Sequence, residues 1–79
     1  MNIDLLNRVS EQVNQCRAKY GSYAGRHEFL GVLIEEIEEL KQEIFKKDLD
    51  FDRFESELID VITVLVKGYE DIVDARNRR

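Results

Sequence analysis

"ELIDVITVLV", Glu57 to Val66, is the stretch on which the fold turns. Its β-branched residues suit a buried strand, and its isolated Asp60 suits neither a strand core nor an apolar helix face. The flanking residues decide between the two. Phe54, Leu58, Val61, Ile62, Leu65, Tyr69, Ile72 and Val73 continue one register at the three-and-four spacing of an α-helix, over a length that exceeds an ordinary strand. A lone strand would also lack a pairing partner in this chain. At about 100° per residue, Asp60 falls on one stripe with Ser56, Thr63, Lys67 and Asp71, beside the apolar arc and not within it.

Two further segments show the same period. Leu6, Val9, Val13, Cys16 and Tyr20 form one seam, and Leu30, Leu33, Ile37, Leu40 and Ile44 form another. "YGSYAG" (Tyr20 to Gly25) and "KKDLDFD" (Lys46 to Asp52) separate the three. Lys46 and Lys47 suit the negative end of the second helix, and Asp52 with Glu55 can form an acidic capping box for the third. The expectation is one all-α domain over residues 1–79, a three-helix protomer.

A chain of 79 residues buries only about 60–65% of its unfolded surface, and the apolar arc of the third helix is wider than one neighbour can cover. Cys16 and His27 are the only cysteine and histidine, so disulfides and Cys/His zinc sites are excluded. Assembly into a homodimer or homotetramer, an oligomeric helical bundle of four-helix type, is the remaining remedy. The start "MNIDLLNR" lacks the features of a secretory signal, and no apolar run reaches the ~20 residues of a membrane span. A cytoplasmic protein without membrane association is therefore expected. With 17 acidic against 12 basic residues and a net charge of -5, nucleic acid is a poor partner and a metal cation a natural one. The C-terminal "RNRR" is read as a solvated helix end whose charge suits the helix dipole.

The carboxylates have a direction. "EEIEELKQE", Glu35 to Glu43, places Glu36, Glu39 and Glu43 along one flank of the second seam, and Glu57 and Asp60 flank the third helix in the same way. A short connection favours antiparallel packing of helices two and three, which brings the two acidic pairs opposite each other. Four facing carboxylates repel unless a cation lies between them, and hard oxygen ligands suit Mg²⁺ or Mn²⁺. The competing reading is a solvated charged surface, because acidic helices contain such spacings by chance.

"HEFLGVLIEEIEEL", followed 17 residues later by "ELID", resembles the MazG-type all-α nucleoside triphosphate pyrophosphohydrolases, whose hallmark is EExxE on one helix and ExxD on the next. The likeness runs from His27 to Ile72 and is nearest to the short phage- and prophage-type MazG-like proteins. It implies that Glu36 and Glu39 with Glu57 and Asp60 are the metal-ligand pairs, and that Glu35 is the leading glutamate of the motif. It further implies Mg²⁺-dependent hydrolysis of a (deoxy)nucleoside triphosphate to monophosphate and pyrophosphate. The chain departs from the family in being short and in lacking a distinct downstream Lys/Asn motif. Lys67, two turns beyond Asp60, and Arg26, at the start of helix two, are candidate substrate contacts; an exposed lysine on a polar face and a surface helix start are the plainer readings. Cys16 and most of the aromatic residues near the helix ends read as packing. The rival function is a non-catalytic helical interaction module. A di-iron carboxylate protein is disfavoured, because such sites use ExxH pairs and His27 does not follow a glutamate by three.

Overall fold

The computed structural model describes residues 2–77, and Arg78 and Arg79 of the C-terminal basic run lie outside them. Three long helices carry the fold: α1 (Ile3–Tyr20), α2 (Arg26–Ile44) and α3 (Phe51–Gly68). A π-helical stretch, Tyr69–Asp74, and a last turn, Ala75–Asn77, continue α3. No strand occurs among the described residues. The single chain is thus a three-helix unit and not itself a four-helix bundle.

Local chemistry sets the helix ends. The Asn2 side chain accepts hydrogen bonds from the backbone N–H groups of Asp4 and Leu5 and caps α1, and Gly21 stops it by taking φ of 75°, a conformation open to glycine at little cost. For α3 the capping residue is Asp50, which accepts from the Asp52 and Arg53 N–H groups. The expected Asp52/Glu55 box is therefore replaced by a cap two residues earlier, where the Asp50 carboxylate supplies the accepting oxygen.

α3 is the central element. α2 runs antiparallel to it, since Phe29 meets Gly68 at one end and Glu43 meets Arg53 at the other. α1 runs parallel to it, with Arg8 on Glu55, Gln12 on Asp60 and Arg17 on Asp71. α1 and α2 scarcely touch. Both lie against α3, and its polar stripe faces the angle between them. Thr63 and Lys67 are each 2% exposed, so the helical-wheel reading of Lys67 as an exposed residue is overturned: a helix with two neighbours buries whichever stripe lies between them.

The apolar seams fare oppositely. Val9, Val13, Ile59 and Val64 form the buried core, but Leu30, Ile37 and Ile44 of the second seam, Leu58 and Leu65 of α3 and Tyr69 of the π-helical stretch are exposed. Tyr20, Phe45 and Phe51 are also at the surface of the single chain, so core packing does not account for these three. One chain has too few layers to cover them.

Candidate metal centre

Antiparallel packing of α2 on α3 brings Glu36, Glu39, Glu57 and Asp60 together. One carboxylate oxygen from each lies within 4.8 Å of all the others. The pattern is local in origin: residues three apart share a helix face, and both pairs lie on the border where α2 meets α3. Unit negative charges at this separation repel by about 3–4 kcal/mol per pair at an effective dielectric of ~20. Among the described residues no lysine or arginine forms an ion pair with any of the four. Gln12 alone reaches the group, its Nε2 donating to Asp60 Oδ1 at 2.7 Å.

Burial and repulsion act on the protons. Burial, followed by the negative charges of Glu39 and Asp60, pushes the Glu36 carboxyl up to about 7. Burial, with Asp60 and Glu39 behind it, also raises Glu57, against a smaller opposing pull from Arg53. Oε2 of Glu36 and Oε2 of Glu57 are buried without a hydrogen-bond partner. Buried polar atoms are normally satisfied, so two orphaned oxygens in one acidic group call for a ligand or a proton.

The donor set fits a hard divalent cation. It is all oxygen, with neither nitrogen nor sulfur in the group. With Mg²⁺–O bonds of ~2.1 Å, octahedral ligand oxygens lie about 3 Å apart in cis and about 4.2 Å apart in trans. In a cluster whose oxygens all lie within 4.8 Å of one another, the widest pair is about half an ångström beyond the trans distance, and the pairs that become cis close to about 3 Å when a cation is held.

The other sequence-derived candidates fall elsewhere. Glu35 is exposed and lines a cleft next to Glu36. Arg26 is exposed at the first position of α2 and belongs to neither the cluster nor that cleft. Glu43 is only 4% exposed and leaves the acidic stripe, because Lys46 at 2.8 Å and Arg53 at 3.5 Å neutralise it. Lys67 sits beside the site with its charge already matched: its Nζ bonds Asp71 Oδ2 at 2.9 Å and lies 3.6 Å from the centre of the Tyr23 ring.

Asp71 is the residue the sequence reading passed over. Its carboxylate also accepts from Arg17 Nη2 at 2.6 Å and from the Tyr23 backbone N–H at 3.0 Å. Burial pushes its pKa up, but the hydrogen bonds from Lys67, the Tyr23 N–H and Arg17 outweigh burial and hold it below the usual carboxylate range. It lies in the π-helical stretch, a feature that recurs at functional sites, and it ties α1, the Tyr23 loop and α3 together through Arg17, Tyr23 and Lys67. The Lys67/Asp71 spacing was the available signal, an i,i+4 pair on the Asp60 stripe.

Comparison with known proteins gives no matching family model, no matching curated protein and no matching solved structure.

Proposed function

We propose that this chain is a Mg²⁺-dependent nucleoside triphosphate pyrophosphohydrolase of MazG-like type, with Mn²⁺ as an alternative ion, acting in the cytoplasm as a homodimer or homotetramer. The observation that carries the reading is the convergence of Glu36, Glu39, Glu57 and Asp60 from two helices, none of them in an ion pair with a lysine or arginine among the described residues. A solvated acidic surface does not account for it, because Glu36 and Glu57 each bury an unpaired oxygen there. In the reaction a water oxygen bonds to the α-phosphorus, the bond from that phosphorus to the α–β bridging oxygen breaks, and pyrophosphate leaves with the bridging oxygen. A divalent cation held by the four carboxylates supplies positive charge to the phosphate oxygens and acidifies water. The chain's own part is orientation: the Gln12 amide fixes Asp60, and packing of α2 on α3 fixes the remaining three carboxylates at their separations. Glu35, exposed on the cleft wall next to Glu36, is the carboxylate available to take the proton that the attacking water loses.

The oligomeric part rests on exposed apolar surface. Ile34 is 51% exposed, Ile37 45% and Leu65 46%, large aliphatic side chains that a second copy would cover. The same surface favours the second reading, a helical interaction module without turnover. Purified protein titrated with Mg²⁺ or Mn²⁺ over a panel of ribo- and deoxyribonucleoside triphosphates separates the two. Release of pyrophosphate with monophosphate is the expected result, and a panel with no metal-dependent release leaves the interaction module.

No helix among the described residues is long and apolar enough to cross a membrane.

A further inference from the structure

α1 contributes no carboxylate to the acidic cluster, yet it reaches it. Arg8, Gln12 and Arg17 lie along the side of α1 that meets α3 and its continuation: Arg8 Nη1 donates to Glu55 at 3.1 Å, Gln12 Nε2 to Asp60 at 2.7 Å and Arg17 Nη2 to Asp71 at 2.6 Å. The outer two donors are cations. The middle one, which meets a member of the cluster, is neutral. A lysine or arginine there would pair with Asp60 and supply from within the chain the positive charge that a metal supplies from outside. An amide facing a carboxylate donates to it and fixes one oxygen, but leaves the negative charge in place.

Packing keeps this contact in register. Val9 and Val13 of α1 are buried in one cluster with Ile59, the residue before Asp60, and Gln12 itself is half-buried beside them. Since α1 and α2 scarcely touch, the Gln12–Asp60 bond is, among the described residues, the hydrogen bond that joins α1 to the four carboxylates. Outer partners of this kind orient ligating carboxylates and tune metal affinity. Linkage makes the effect reciprocal: the factor that docked α1 adds to metal affinity is the factor that bound metal adds to the docking of α1.

We propose that Gln12 is a positioning residue of the metal centre, which aims the Asp60 carboxylate without neutralising it and thereby links the docking of α1 to the binding of a divalent cation. This role rests on the metal centre of the pyrophosphohydrolase reading but not on turnover, so metal alone tests it. Mn²⁺ is titrated into wild type, Gln12→Met and Gln12→Lys, side chains of similar helix propensity, with the electron paramagnetic resonance of the free ion as readout. Hydrogen exchange of the Val9 and Val13 amides is followed in EDTA and in saturating Mg²⁺. Gln12→Met, which removes the donor, should weaken Mn²⁺ about 10–100-fold. Gln12→Lys keeps a donor but brings its own charge; it should weaken Mn²⁺ at least as much, while melting no lower than wild type in EDTA. In wild type Mg²⁺ should slow the two α1 amides about tenfold or more, and in Gln12→Met, with Mg²⁺ raised to saturate it, that slowing should be largely lost. A residue that only packs would lower the melting temperature of Gln12→Met and leave Mn²⁺ affinity unchanged; that result overturns the role, as does a Gln12→Lys protein that binds Mn²⁺ like wild type or melts below it in EDTA. Equal slowing of the α1 amides in wild type and Gln12→Met overturns the linkage. Wild type that binds no Mn²⁺ removes the metal centre and the role of Gln12 together, whereas the expected ranking in a protein that releases no pyrophosphate upholds Gln12 and removes only the hydrolase.

Discussion

Glu36→Gln isolates the electrostatic cost of the carboxylate cluster. Burial and the charges of Glu39 and Asp60 raise the Glu36 carboxyl from 4.5 to about 7, so the folded protein holds this proton more tightly than the unfolded chain. Stability from that proton is full below about pH 4.5 and is lost as pH rises through about 7. Taken whole, the change corresponds to about 3 kcal/mol at pH 8; screening at a partly open site reduces it to about 1–2 kcal/mol. Glutamine keeps the shape, removes the charge and can donate to the neighbouring carboxylates. In EDTA at pH 8 the variant should therefore melt higher than wild type by roughly 5–15 °C, at about 4–8 °C per kcal/mol for a domain of this size. At pH 5 only about a quarter of the difference should remain, because wild-type Glu36 is then mostly protonated. Saturating Mg²⁺ should reverse the order, since binding to the native state alone adds about 2.7 kcal/mol at a hundred times the dissociation constant. Circular dichroism melts at fixed protein concentration, at both pH values with EDTA or Mg²⁺, give every comparison. A variant that melts with or below wild type at pH 8 in EDTA would show that Glu36 feels no repulsion, and the clustering argument would fail with it.

Two other outcomes follow from packing. Gly68→Ala should gain about 1 kcal/mol of helix propensity yet lose more, because its new Cβ overlaps the Phe29 ring and overpacking costs about 1–3 kcal/mol; a chemical-denaturation midpoint above wild type would contradict the close approach of α2 to α3. Wild type should sediment as a dimer or tetramer at micromolar concentration, and Ile37→Glu, which charges an exposed apolar stripe, should shift it towards monomer; a stable folded monomer of wild type would refute the oligomer.

What the sequence discloses and what it withholds have physical causes. The helical nature of Glu57 to Val66 was legible because apolar period is a one-dimensional signal, and the four clustered carboxylates were legible because i,i+3 spacing fixes a face before any tertiary contact exists. The burial of Thr63 and Lys67 was not. A wheel ranks faces by polarity, whereas their burial depends on α1 and α2 both leaning on α3 and on Asp71 collecting Lys67, Arg17 and Tyr23 from three elements. Glu43 misleads for a similar reason: it has the spacing of Glu36 and Glu39, but lysine and arginine neighbours convert it into an ion pair. The exposure of Leu30, Ile37 and Leu65 inverts the ordinary rule that a seam marks the core, and it does so because these side chains have no covering layer within one chain.

The claim on which the account depends is that Glu36, Glu39, Glu57 and Asp60 together hold one kind of guest, a hard divalent cation. Mn²⁺ titration followed by the electron paramagnetic resonance of the free ion measures this in solution, without substrate and without turnover. Wild type should bind Mn²⁺ saturably, Mg²⁺ should displace it, and Asp60→Asn, which removes an anionic ligand while keeping an oxygen for the Gln12 amide, should weaken it at least about tenfold. Equal Mn²⁺ binding by wild type and Asp60→Asn, or no saturable binding by wild type, would contradict the metal centre.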